Sequence, residues 1–196
     1  MNNVINEAHA LNEDKQMLIG ELELIWNYIN EKYQGGNTLE IGAYKGMTSY
    51  LFGAMMDKHE KENTRGGKHY IVDIFEDFEK EDTAWGYQPH PKSLLLENVG
   101  DYANYMEVIQ SRSLGWDSIS VVLSHEFDIV WIDGDHRYQT LLMELLMADI
   151  VTDHIIGHDY GHDGVTRAVD EFCTERGYKV ELWREGQYGL FEIIKQ

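Results

Sequence analysis

Thr38-Leu39-Glu40-Ile41-Gly42-Ala43-Tyr44-Lys45-Gly46-Met47 is the stretch whose reading decides the fold. Residues 38–41 form a short strand that ends on a glycine. Met47, Tyr50, Leu51, Ala54 and Met55 then fall at i, i+3, i+4, i+7 and i+8, one face of a helix. The order is strand, glycine turn, helix. Gly42 and Gly46 let the backbone come close to a ligand, and an acid, Glu40, stands before the first glycine. The Gly-x-x-x-Gly spacing does not meet the Gly-x-Gly-x-x-Gly dinucleotide fingerprint, and a pyrophosphate would be repelled by Glu40.

The same alternation continues downstream. Residues 69–74 read as a strand, 92–99 as a helix, 105–109 as a strand and 116–123 as a helix. Residues 127–132 are a nearly continuous apolar run, the pattern of a strand buried on both faces of a parallel sheet. Tyr138, Leu141, Leu142, Leu145 and Leu146 mark a helix, 151–157 a strand, and Val165, Ala168, Val169, Phe172 and Cys173 a last helical stripe. Strands at 179–183 and 188–194, separated by Arg184-Glu185-Gly186-Gln187, predict an antiparallel hairpin. The whole reads as α/β: a Rossmann-like doubly wound sheet, mainly parallel, with helices on both faces and a C-terminal antiparallel hairpin. Upstream, Leu11, Leu18, Leu22, Ile25 and Ile29 form a helical stripe that ends at Gly35-Gly36. Residues 1–36 are therefore an N-terminal helical segment and 37–196 a single domain. The stripe exceeds what a small sheet needs for cover, which predicts a homodimer through this helix.

Composition narrows the function. The 196 residues carry 43% hydrophobic side chains, enough for a core and a pocket, and a net charge of −19 that disfavours nucleic acid and membrane surfaces as partners. A single cysteine, Cys173, excludes an internal disulfide and a multi-thiolate zinc site. No run approaches the length of a membrane span and the N-terminus lacks signal-peptide character, so a soluble cytoplasmic protein is expected.

In such sheets ligands bind beyond the carboxyl ends of the strands. Asp73 closes the second strand, where a carboxylate can accept both hydroxyls of a ribose. Ile132-Asp133-Gly134-Asp135-His136 and Gly157-His158-Asp159-Tyr160 follow two later strands. Two strand ends carrying carboxylate and imidazole form a candidate Mg²⁺ site with a nearby base. Asp135 reads as a turn or capping acid, and the remaining histidines as surface or structural residues. Residues 79–91, with Trp85, Tyr87 and His90, and the N-terminal helix are expected to form a lid and pocket walls.

With these motifs in order, the sequence resembles a class I S-adenosylmethionine-dependent methyltransferase over about four-fifths of its length. Residues 40–49 are similar to the first cofactor motif, which implies donor contacts from Glu40, Gly42, Ala43, Tyr44, Thr48 and Ser49. Asp73 matches the ribose-binding acid, and Ser111 falls where the loop after the third strand meets adenine. Residues 127–138, 157–160 and 164–172 together resemble the small bacterial branch that includes macrocin-type macrolide-sugar O-methyltransferases. That likeness implies a divalent metal on Asp133, His158 and Asp159, with Asp133 also near the donor and His136 as the base. His158 stands where relatives often carry a carboxylate, and Asp149-Ile150-Val151-Thr152-Asp153 replaces the usual Pro-Gly-Gly. The acceptor implied is a small hydroxyl compound such as a sugar or phenol.

Three rivals explain less. A metal-dependent hydrolase is suggested by Gly134-Asp135-His136 and His158-Asp159, but it lacks an early Asp-x-His pair and leaves the glycine turn and Asp73 without a role. A nicotinamide oxidoreductase lacks its fingerprint. A non-catalytic protein of the same fold would have no need of the acid and imidazole cluster.

Overall fold

The computed structural model describes residues 2–11, 16–62, 66–76, 89–183 and 188–196. Helices α1 (Asn2–Ala10) and α2 (Ile19–Lys32) precede strand β1 (Thr38–Ile41) and helix α3 (Met47–Lys61). Strand β2 (His69–Asp73), helix α4 (Lys92–Val99) and a 3-10 turn (Gly100–Tyr105) lead to strand β3 (Met106–Gln110). Helix α5 (Trp116–Val122), strand β4 (Ile129–Ile132), helix α6 (Tyr138–Val151), strand β5 (Ile155–Tyr160) and helix α7 (Asp163–Arg176) follow. Strands β6 (Lys179–Trp183) and β7 (Gly189–Ile194) close the chain. The expected turn at 184–187 and most of the expected wall at 79–91, Trp85 and Tyr87 included, lie outside the described residues.

The seven strands form one sheet in the order β3-β2-β1-β4-β5-β7-β6. β1 pairs in parallel with both β2 and β4, so the strand order reverses beside it and leaves a crevice at its carboxyl end. β7 runs antiparallel to β5 and to β6, as the hairpin reading predicts.

Period-two alternation divides the core between the two faces. Leu39, Ile41, Val130 and Ile132 point toward α5, α6 and α7, packing with Leu145, Ala168 and Phe172. Ile129 and Trp131 point the other way, toward Leu22, Ile25, Ile29, Leu51 and Phe52 of α2 and α3. By the same parity Thr38 and Glu40 face α3, and both are wholly buried.

Two expectations need correction. The N-terminal stripe is not one helix: Leu11 ends in a turn after α1, and Leu18 is the half-exposed N-cap of α2, its N–H donating to Glu21 Oε2 at 2.7 Å. Leu22 and Ile25 are fully buried in the chain's own core. The strand read at 151–157 starts instead at Ile155, because α6 runs through Val151. Leu141, Leu145, Ala148 and Val151 keep helical spacing on the core, and Thr152 ends the helix in extended backbone.

Candidate active site

A cleft of about 380 Å³ opens at the carboxyl ends of β1 to β5. The turn after β1 forms its floor. Gly42 sits at φ +82°, and a Cβ there would lie 2.2 Å from the carbonyl oxygen of Asp133, so the position requires glycine. Tyr44 also adopts a positive φ, 49°. Asp73 fixes this conformation from the end of β2: its Oδ2 accepts the N–H groups of Ala43 and Tyr44 at 2.9 and 3.0 Å, and its Oδ1 that of Phe75 at 2.7 Å. The buried carboxylate thus organises the turn. Ser111, Ser113 and Leu114 enter after β3, Asp133 to Arg137 after β4, and Gln16 and Met17 from the N-terminal segment. His90 is buried against Tyr44 and Phe75, at ring separations of 4.9 and 5.5 Å.

Of the residues expected to contact a donor, Gly42, Ala43, Tyr44, Thr48, Asp73, Ser111 and Asp133 line this cleft, and Glu40 and Ser49 do not. Strand parity turns Glu40 into the core. There the Thr48 hydroxyl and the Ser49 hydroxyl (2.5 Å) donate to it, and His69 Nε2 lies 2.9 Å away. His69 Nδ1 is in turn 2.8 Å from the Thr38 hydroxyl. Glu40 is therefore an internal tie between β1, β2 and α3 rather than a wall of the cleft.

The acid and imidazole cluster is assembled from β4 and β5. Asp133, His136 and Asp159 each offer one ligand atom, and these atoms lie within 4.8 Å of one another. His136 Nε2 is 2.8 Å from Asp159 Oδ2. Asp159 reaches this position through left-handed backbone, φ 62°, a conformation that aspartate tolerates better than most residues. Of the residues expected at a metal, Asp133 and Asp159 stand in this cluster with His136, the expected base, and His158 stands behind it. His158 Nε2 faces Glu21 Oε1 at 3.3 Å, and its Nδ1 lies 3.2 Å from Asp159 and 3.7 Å from Asp133. This buried imidazole bridges α2 to the cluster, a role taken in the expected set by a direct ligand.

The electrostatics are asymmetric. Burial pushes Asp133 up to about 7, against the opposing pull of His158. Burial would also raise Asp159, but hydrogen bonds from His136 and His158 hold it well below the usual carboxylate range. The hydrogen bond to Asp159 raises His136 above its ordinary value, with burial opposing. Burial disfavours charge on His158, yet Asp133, Asp159 and Glu21 outweigh it and push the imidazole up to about 11. In its protonated form His158 is a hydrogen-bond donor to these carboxylates. Asp135, read from sequence as a turn acid, holds Arg137: its Oδ1 accepts the Arg137 backbone N–H at 2.9 Å and its carboxylate pairs with the guanidinium.

Sequence reasoning missed Glu21 and Glu144. Nothing local distinguishes Glu21 from its neighbours on α2. Glu144 did carry a signal, being the single acid within Leu141-Leu142-Met143-Glu144-Leu145-Leu146-Met147.

Among the described residues no helix is long and apolar enough to cross a membrane. A search of curated protein sequences finds no match. Among solved structures the fold is similar to the O-methyltransferase TomG of Streptomyces achromogenes, involved in tomaymycin synthesis and solved with S-adenosylmethionine (TM-score 0.66, 14% identity, 100% of this chain and 91% of that one). It is also similar to an O-methyltransferase of Bacillus cereus in complex with S-adenosylhomocysteine (0.64, 15%, 99% and 90%). The ribosomal protein L11 methylase of Lactobacillus delbrueckii subsp. bulgaricus shares it too (0.56, 12%, 92% and 80%), so the fold alone does not fix the acceptor. The model of a methyltransferase domain matches residues 39–160, from the first strand through the acid cluster. That match runs well over half the chain and takes in the glycine turn, Asp73 and the acid and imidazole cluster: the protein belongs to the methyltransferase domain family.

Proposed function

We propose that the protein transfers a methyl group from S-adenosylmethionine to a hydroxyl oxygen of a small molecule. The observation that carries this reading is the junction of two features in one cleft. The glycine turn held by Asp73 abuts the Asp133, His136 and Asp159 cluster. Carboxylates and turn backbone suit a sulfonium, which is positive at the reacting centre, and would repel a pyrophosphate. The O-methyltransferases of similar fold, with donor or product bound, and the resemblance of residues 127–138 and 157–160 to the macrocin-type branch both support it.

Methyl transfer to a hydroxyl needs the acceptor oxygen held in line with the methyl, about 3 Å away, and relieved of its proton. His136 is the base in this reading. Asp159 orients its imidazole and raises its basicity, the arrangement in which a carboxylate positions a catalytic histidine. Asp133 and Asp159 also supply the hard oxygen donors that a divalent cation requires, so the site fits such an ion, with Mg²⁺ the natural occupant. When bound, the ion would lower the acceptor's pKa and clamp neighbouring oxygens. Gln16 and Met17 bring the N-terminal segment to the cleft.

The test is mass spectrometry of the ligand that co-purifies, followed by incubation with methyl-labelled donor and a panel of sugars and phenols, with and without chelator. Labelled product on oxygen supports the reading. Absence of any S-adenosylmethionine or S-adenosylhomocysteine binding defeats it.

A further inference from the structure

We propose that Glu144 reads the adenine of the bound donor, its carboxyl donating one hydrogen bond to the base edge and accepting another from the 6-amino group. The inference rests on the donor reading above and assigns one residue's part in it.

Glu144 has no exposed surface, and among the described residues neither of its carboxyl oxygens has a hydrogen bond of ordinary geometry, the Ser113 hydroxyl being the polar side chain that acts on it from nearby. Buried polar groups in folded proteins are almost always paired, so an unpaired carboxyl calls for a reason. Its surroundings supply one, because Glu144 lines the cleft together with Ser111, Ser113 and Thr140. On α6 it lies at i+3 from Leu141 and beside Leu145, the residues that pack this helix on the sheet. The side chain is held between helix and sheet with the cleft as its outlet.

The obvious internal partner is already committed. Arg137 pairs with Asp135 through its guanidinium and, among the described residues, donates no hydrogen bond to Glu144. Burial pushes the Glu144 carboxyl up to about 8, with the Ser113 hydroxyl drawing it partly back. Near neutral pH it is therefore largely an uncharged acid, with one O–H donor beside one carbonyl acceptor. Adenine presents the complementary pair, an amino donor adjacent to a ring-nitrogen acceptor. A ribose diol offers no such fixed pair, and the charged end of the methionine part would require an ionised partner.

Position agrees with chemistry. The sheet order sets the loops of β3, β2, β1, β4 and β5 in a row. The cluster that would receive the methyl lies at β4 and β5, and Asp73 lies at β2. Ser113, the group acting on Glu144, follows β3. A donor stretched from the cluster past Asp73 carries its base to that end of the cleft.

The experiment measures binding of S-adenosylhomocysteine, and of its analogue with hydrogen in place of the 6-amino group, to wild type, Glu144→Gln and Glu144→Met by calorimetry. Circular dichroism checks that each variant is folded. Wild type should favour S-adenosylhomocysteine over the analogue by about 10-fold or more. Glu144→Gln, which keeps one donor and one acceptor, should stay within about 3-fold of wild type. Glu144→Met should bind S-adenosylhomocysteine at least about 10-fold more weakly and no longer distinguish the two ligands. Equal binding of both ligands to wild type overturns the proposal even if Glu144→Met fails to fold. Preserved discrimination in Glu144→Met overturns it as well. If wild type binds neither ligand, the donor reading falls and takes this one with it, whereas binding without discrimination removes only the role of Glu144.

Discussion

His136 and Asp159 approach to 2.8 Å across the carboxyl ends of β4 and β5, and Asp159 makes that contact from left-handed backbone. A base must shed its proton before it can accept another, and Asp159 holds the His136 proton more firmly than solvent would. The titration of His136, followed by the NMR signals of its ring protons, should therefore have its midpoint above the ordinary value of about 6.5. Turnover should climb through the same pH range. Asp159→Asn removes the charge and should move the midpoint downward. A midpoint in that variant equal to wild type would show that Asp159 does not set the basicity of His136.

The cluster also separates ligand from base. Asp133→Asn keeps the shape but removes the charge that a hard cation requires, so Mn²⁺ affinity measured by electron paramagnetic resonance should fall at least about 10-fold. His136→Ala should leave Mn²⁺ affinity within a few-fold while turnover drops by about 10² to 10⁴. Loss of the ion in His136→Ala would instead make this imidazole a ligand and require another base.

Glu40 and Asp73 divide between structure and binding. Glu40→Ala leaves the Thr48 and Ser49 hydroxyls and His69 without their acceptor inside the core. Each buried group stranded in this way costs about 1 to 3 kcal/mol, so urea denaturation should show a total loss of roughly 3 kcal/mol or more. Asp73→Ala releases the Ala43 and Tyr44 N–H groups that shape the turn, and should weaken S-adenosylhomocysteine by about 10-fold or more. The reverse pattern, with Glu40→Ala fully stable but unable to bind, would return Glu40 to the cleft.

These cases show where the sequence was sufficient. Periodicity exposed every strand of the sheet, since helix and strand periods leave distinct marks in Met47 to Met55 and in residues 127–132. Glycine and acid at strand ends placed the cleft. Strand boundaries were less legible: Val151 is apolar and β-branched, and only the register of α6 on the core makes it helical. Glu40 was misplaced because its motif was read without its parity, although Leu39 and Ile41 on the opposite face already turn it toward α3. The contact of His158 with Glu21 is not legible in the sequence, because the two stand 137 residues apart and Glu21 lies on an N-terminal helix.

That distant pair gives the last prediction. Glu21 uses one oxygen to accept the Leu18 N–H at the start of α2 and presents the other to His158, so one carboxylate both caps the helix and anchors it to the cluster. His158 is raised in the folded chain from an unfolded value of about 6.5 to about 11. The folded state therefore binds this proton more tightly than the unfolded state. The stability it contributes is complete below about pH 6.5, shrinks progressively above it, and is gone once the pH passes the folded value. Asp133 acts in the same direction but at lower pH, since its raised value of about 7 leaves it ionised in both states at higher pH. The contribution of His158 is thus read cleanly between about pH 7.5 and 9.5, in chelator so that no cation competes for Asp133 and Asp159. Urea denaturation of wild type and His158→Gln should show a stability difference that narrows steadily as pH rises across this window. Glu21→Gln should narrow the same difference by weakening the grip on the proton. A difference that stays constant with pH would mean that His158 is neutral in the folded chain, and its Nδ1 would then be available to a cation beside Asp133 and Asp159.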